Sequence, residues 1–172
     1  MVAMHTTRPR VIAHAFGLCA PYNSFSAPRE GEGARHGKPA NWRYRLFFGA
    51  GSLRRTAAES QCRAMVDHGA HPQFGNTILG AVRLRELPQG LAAFLDIEDG
   101  DLGRRFARCL QSGQFNGMSI CYVLEPDRYD IVPGQRGNLD TMLVHDLGPI
   151  REVSFCSRRA AFHETCVLFD LP

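Results

Sequence analysis

Several features that would assign a protein to a special class are missing from this chain of 172 residues. No apolar run approaches the roughly 20 residues that a membrane-spanning helix needs, and the first ten residues lack the hydrophobic core of a signal peptide. The six cysteines form no Cys-x-x-Cys pair, which argues against zinc knuckles and a disulfide scaffold. A net charge of +3 is too small to indicate nucleic-acid binding. We therefore expect a soluble intracellular protein without a membrane or nucleic-acid partner.

The remaining composition is that of an ordinary globular domain. Hydrophobic residues make up 44% and charged residues 22% of the chain, and eleven phenylalanines supply bulk for a core. A chain of this length can bury most of its apolar surface in one domain. We predict a flexible arm over residues 1–10 and a single domain over residues 11–172.

The apolar pattern predicts the secondary structure. The predicted strands cover residues 11–20, 42–48, 77–84, 90–97, 115–123, 141–147, 150–156 and 165–169. Ser52 is a suitable N-cap for a helix through Val66, and Asp99 or Asp101 for a second helix that Gly113 ends. Strands and helices do not alternate regularly, so we predict an α+β fold. It would be a mainly antiparallel β-barrel of about seven strands with two or more flanking helices.

One predicted strand, residues 115–123, carries a single hydroxyl among apolar side chains. Alternation places Met118 and Ile120 on one face and Ser119 on the other. A serine in a strand is commonly structural and bonded to a neighbouring strand. Acting as a nucleophile at neutral pH, it would need an imidazole base. Both interpretations of Ser119 are open at this point.

His68 and Glu152 are the candidates to act with this serine. His68 follows the predicted helix and precedes Gly69, where a side chain can face a cleft, although a histidine in a loop is commonly just solvated. Glu152 lies in an apolar strand and could fix the imidazole tautomer. It could equally be an edge-strand acid paired with Arg151 or Arg158.

Four segments form a set in a fixed order: residues 66–68 with Gly75, the helix into Gly113, residues 117–120 and residues 150–155. Taken together, they resemble the prohead (capsid maturation) proteases of tailed bacteriophages. Residues 15–24 and 48–53 also look like that family's first strand and its entry to the first helix. The resemblance extends over roughly residues 11–169.

The resemblance implies a fold and a set of roles. That family is similar in fold to the herpesvirus assembly proteases, whose barrel holds a serine and a histidine. By position, His68 would be the general base, Ser119 the nucleophile and Glu152 the orienting acid. Backbone N–H groups near Arg158 and Arg159 would hold the oxyanion. No cofactor or metal is implied.

The resemblance also implies the partners and the place of action. The substrates would be the scaffolding protein or the N-terminal scaffolding segment of the major capsid protein. Cleavage would take place inside the immature capsid, in the host cytoplasm. Whether the chain forms a homodimer is an open question at this point.

Two positions depart from the family pattern. Cys121 stands where the family usually has glycine, which could crowd the cleft. Arg159-Ala160 replaces the usual Pro-Ala after the acid-bearing strand, which could reshape the oxyanion loop. A capsid or tail assembly protein that keeps the barrel and has lost the chemistry is therefore one alternative.

A metal-dependent hydrolase is the other alternative. His68 and His71 could supply two imidazoles, with His145 or Asp146 as a third ligand. The two histidines are three positions apart and precede Pro72, whereas zinc sites on helices usually space them four apart.

Overall fold

The computed structural model describes residues 9–135, 138–158 and 160–171, so residues 1–8 of the predicted arm lie outside it. The helices and strands follow one another as β1 (Val11–Pro21), β2 (Arg29–Glu30), β3 (Arg43–Phe48), α1 (Arg54–Glu59), β4 (Cys62–Val66), β5 (Gly80–Leu87), β6 (Gly90–Glu98), α2 (Asp101–Gln111), β7 (Gly117–Cys121), β8 (Tyr129–Val132), β9 (Asp140–Val144), β10 (Glu152–Cys156) and β11 (Leu168–Asp170). Short 3₁₀ turns cover Gly33–His36 and Asp67–Gly69.

The strands form two sheets. The larger has seven strands in the order β11-β1-β6-β5-β4-β10-β7, and the smaller has four in the order β2-β3-β9-β8. Strands β1 and β7 contact each other although four strands separate them in this order. The larger sheet therefore curls into a half-barrel. Strand β7, which carries Ser119, is the last strand of that sheet.

The prediction of a mainly antiparallel barrel needs correction, because both sheets are mixed. Strand β10 pairs with β4 in parallel, and β3 pairs with β9 in parallel. Apolar alternation shows which face of a strand is buried but carries no information about the direction of its neighbour. The two flanking helices and the hairpin of β5 and β6 are confirmed.

The predicted helix from Ser52 to Val66 is wrong in its second half. Helix α1 begins at Arg54 and ends at Glu59, and Cys62–Val66 is strand β4. This strand lies between β5 and β10 inside the sheet, and Ala64, Met65 and Val66 are all buried. A short apolar run in a central strand resembles one face of a helix, and pairing on both edges overrides helix propensity here.

Aromatic packing fixes α2 against the strands that carry the candidate site. The fully buried ring of Phe106 on α2 lies 5.0 Å from the ring of Phe155 on β10 and 5.5 Å from that of Phe115, just before β7. Burying each such ring stabilises the fold by about 2 to 3 kcal/mol. These contacts with α2 fix the positions of β7 and β10.

The helices found among the described residues are all too short and too polar to cross a membrane.

Candidate active site

A left-handed turn brings His68 back over β10. Val66 at the end of β4 is level with Phe155, and Met65 is level with Ser154. A straight continuation would carry His68 beyond β10, yet its backbone N–H bonds to Ser154 Oγ at 2.9 Å. The reversal comes from Asp67, His68 and the following glycine, whose φ angles are 45°, 52° and 83°. A non-glycine residue in this region costs about 1–3 kcal/mol, so the turn needs contacts to hold it.

The His68 ring is bonded to Glu152. Nδ1 lies 2.7 Å from Glu152 Oε1, and the two side chains are 43% and 13% exposed. Within the described residues, the ion pair of Glu152 is with this histidine rather than with Arg151 or Arg158. When Nδ1 carries the proton that this bond needs, Nε2 is the nitrogen that can accept a second proton.

Register puts Ser119 on the same face of the sheet as the carboxylate. Ser119 on β7 is the cross-strand partner of Ser154 on β10, and Cys121 is the partner of Glu152. Directly opposed residues project to the same side of a sheet, as do residues two apart on one strand. The hydroxyl of Ser119, the Glu152 carboxylate and the imidazole bonded to it therefore lie on one side of the sheet.

Ser119 and His68 line a cleft with two lobes. The lobes have volumes of ≈ 800 and ≈ 660 Å³, and Arg29, His68 and Ser119 border both. Aromatic side chains on the wall of the larger lobe are Trp42, Tyr44, Tyr122 and Tyr129. Among the described residues, the Ser119 hydroxyl and the imidazole are not hydrogen-bonded. Such bonds are often long in unliganded enzymes and tighten with substrate.

The segment after β10 borders the smaller lobe. Arg158 and Ala160 line that lobe together with Ser119, while Arg159 lies outside the described residues. The Ser157 N–H donates to Asp67 Oδ1 at 2.8 Å, and its hydroxyl donates to Oδ2. The predicted oxyanion segment is thus joined to the turn that carries His68.

Sequence reasoning missed Ser154. This residue is fully buried, and its Oγ accepts the His68 N–H while donating to Glu152 Oε1 at 2.8 Å. The available signal was its position two residues after Glu152, which places both side chains on one face of the strand. The role of a serine in a strand cannot be predicted until the hydrogen-bond partner of its hydroxyl is known.

The cysteines near the cleft differ in character. Cys121 is exposed and forms part of the wall of the larger lobe. Burial, with a further contribution from Asp67, raises the pKa of Cys156 to about 12. Cys156 is therefore held as a protonated thiol at neutral pH, which makes it a poor nucleophile.

The candidate metal ligands do not gather around His68. His71 is buried, with its ring 5.1 Å from Phe74 and 5.8 Å from Phe115, and His145 Nε2 bonds to Asp130 at 2.7 Å. The described part of the chain contains no group of three or more His, Cys, Asp or Glu residues suited to hold a metal ion.

Comparison with known proteins identifies the family. The family model described as caudovirus prohead serine protease matches residues 42–168. No curated protein and no solved structure is similar enough to count as a match, so the likeness to the herpesvirus proteases stays a prediction. The matched segment includes β3 to β10 and with them Ser119, His68 and Glu152. The chain therefore belongs to the caudovirus prohead serine proteases, as its resemblance to the prohead proteases of tailed phages predicted.

Proposed function

We propose that the chain is a serine endopeptidase in which Ser119 is the nucleophile, His68 the general base and Glu152 the acid that orients the base. The observation that carries this proposal is the bond between His68 Nδ1 and Glu152 Oε1 on the face of the sheet that also bears Ser119. A carboxylate in this position selects the tautomer whose Nε2 can take a proton and stabilises the imidazolium that results.

The reaction follows from these positions. Ser119 Oγ attacks the scissile carbonyl carbon while its proton passes to His68 Nε2. The negative charge on the carbonyl oxygen is stabilised by backbone N–H groups near Arg158, at the border of the smaller lobe. His68 then protonates the leaving amine as the C–N bond breaks. Water, deprotonated by the same imidazole, releases the acyl group as a carboxylic acid and restores the Ser119 hydroxyl.

The shape of the cleft supports cleavage within a chain. Open space continues on both sides of Ser119 and His68, as two lobes that share these residues. An endopeptidase must hold substrate residues before and after the scissile bond, and a site closed on one side could not. The cleft therefore suits an extended polypeptide that passes across Ser119.

The family supplies the substrate class. Prohead proteases act on capsid components, so the proposed substrates are the scaffolding protein or the N-terminal scaffolding segment of the major capsid protein. Cutting would occur inside the immature capsid in the host cytoplasm.

Co-expression with the adjacent capsid protein tests the function. We expect a discrete N-terminal loss of mass from the capsid protein with the wild-type chain and none with Ser119→Ala. Ser112→Ala is a matched control, because Ser112 bonds to the Cys109 carbonyl at the end of α2, away from the cleft. Trimming that continues in Ser119→Ala would exclude Ser119 as the nucleophile. Trimming that stops when a chelator is added would favour the metal-dependent hydrolase. If neither the wild-type chain nor any variant trims the capsid protein, the inactive assembly protein would be favoured.

A further inference from the structure

One buried hydroxyl fastens both the main chain and the ring of His68. Ser154 Oγ accepts the His68 backbone N–H at 2.9 Å and donates its own proton to Glu152 Oε1 at 2.8 Å. The same carboxylate oxygen lies 2.7 Å from His68 Nδ1. Ser154 thus constrains His68 in two ways. It binds the backbone N–H of His68, and it binds the carboxylate that is bonded to the imidazole.

We propose that Ser154 is a positioning residue for His68, an inference that rests on the function proposed above. Its two bonds have different consequences. The bond from the His68 N–H returns the chain to β10 after Val66, against the cost of a left-handed backbone at φ 52°. The bond to Oε1 fixes the rotamer of Glu152, so that the carboxylate meets Nδ1 rather than turning toward solvent. Either loss would let the ring move away from Ser119.

Neighbouring contacts hold the rest of the turn but do not replace the hydrogen bonds of Ser154. The Asp67 carboxylate is bonded to Ser157, which fixes the residue before His68. The residue after it, Gly69, has φ 83°, and a Cβ there would lie 2.1 Å from Asn76 Oδ1. Both features define the path of the chain, whereas the direction of the His68 ring depends on Glu152 and Ser154.

Ser154 differs in role from Ser119 although the two are cross-strand partners. Ser119 borders both lobes of the cleft, while Ser154 is fully buried and has both its donor and its acceptor engaged. A substrate carbonyl therefore cannot reach Ser154. Its contribution to the reaction acts through His68.

Four substitutions separate positioning from stability. Ser154→Ala and Ser154→Cys remove the hydroxyl, the second with little change in volume, and Ser154→Thr retains it. Thr56→Val is the matched control. Thr56 is also fully buried and its hydroxyl donates to the Leu147 and Gly148 carbonyls, away from the cleft.

Two readouts on the full chain test the proposal. One is the rate at which a fluorophosphonate labels Ser119 across neutral pH, from about pH 5 to 9. The other is the downfield proton resonance of the His68 Nδ1–H bond. We expect Ser154→Ala and Ser154→Cys to slow labelling by about ten- to a hundredfold and to shift or lose the resonance. Ser154→Thr and Thr56→Val should keep both, even if Thr56→Val lowers the melting temperature.

The outcomes distinguish this inference from the function on which it rests. Wild-type labelling rate, pH profile and resonance in folded Ser154→Ala or Ser154→Cys would overturn the positioning role. If the wild-type chain is not labelled at all, the nucleophile assignment fails. The His68 resonance in the Ser154 variants then still decides whether Ser154 orients the ring.

Discussion

His68 and Glu152 are joined by a hydrogen bond of 2.7 Å between Nδ1 and Oε1, although 84 positions separate them along the chain. The parallel pairing of β4 with β10 and the left-handed turn after β4 bring them together. A carboxylate with 13% exposure and a histidine with 43% exposure form a pair that is partly shielded from water yet open to a substrate. The pair is the structural basis of the proposed acid–base chemistry.

Glu152→Gln tests the carboxylate. The amide keeps the size of the side chain but can donate to Nδ1, which favours the wrong tautomer and leaves the imidazolium without a counter-charge. By analogy with other triads, we expect phosphonate labelling of Ser119 to slow by about 10² to 10⁴-fold. The control is Glu59→Gln on the exposed end of α1. Equal rates in Glu152→Gln and wild type would rule out an orienting role for this acid.

Replacement of His68 should separate activity from stability. His68→Gly and His68→Ala both remove the imidazole, so both should abolish labelling at neutral pH. Glycine adopts the φ of 52° without strain, whereas alanine does not. We therefore expect His68→Gly to be more stable than His68→Ala by about 1 kcal/mol. Thermal or urea unfolding of the two variants measures the difference, and a more stable alanine variant would contradict the left-handed turn.

Asp140 should make the fold sensitive to acid. A hydrogen bond from Lys38, assisted by the Gly134 and Trp42 N–H groups, lowers the pKa of Asp140 from 3.8 to about 2. The folded state then binds fewer protons than the unfolded state between these values. Stability from this group is complete above about pH 5 and is lost as the pH falls toward 2.

The matching variant is Asp140→Asn. We expect it to be less stable at neutral pH by about 1.5 to 3 kcal/mol, because hydrogen bonds to a charged group are lost. Its stability should also change less between about pH 5 and 2 than that of the wild type. Urea denaturation at a series of pH values measures both effects, and parallel curves for the two proteins would refute the assignment.

Cys121 should allow the cleft to be blocked chemically. Its thiol is exposed on the wall of the larger lobe, whereas Cys156 is buried with its pKa raised to about 12. A bulky maleimide should therefore modify Cys121 and spare Cys156, and it should slow labelling of Ser119.

Cys121→Gly should be labelled by the fluorophosphonate at least as fast as wild type, and the maleimide should not slow that labelling. Cys166 is also exposed, so Cys166→Ser controls for modification elsewhere. Inhibition that persists in Cys121→Gly would place the effect outside this lobe.

Part of the fold and of the candidate site could be predicted from the sequence alone. The apolar alternation located most strands, and the order of the segments around His68, Ser119 and Glu152 indicated the family. It could not indicate that β4 is a strand, because the buried residues of 62–66 also fit one face of a helix. Nor could it indicate parallel pairing of β4 with β10, since that depends on contacts between segments far apart in the chain.

The hydrogen bonds that support the site could not be predicted from the sequence either. Ser154 and Asp67 gain their roles from a left-handed turn at two non-glycine residues, a conformation that local propensity disfavours. Only the packed structure, with hydrogen bonds from Ser157 and to Ser154, makes that turn stable.

The site of covalent labelling by a fluorophosphonate tests directly whether Ser119 is a nucleophile that His68 activates. The wild-type chain, His68→Gly and Ser119→Ala are each treated at neutral pH, digested and analysed by peptide mass spectrometry. We expect one adduct on the peptide that contains Ser119 in the wild type, and none in either variant. An adduct on another serine, or labelling that persists in His68→Gly, would rule out the assignment of Ser119 as nucleophile and His68 as its base.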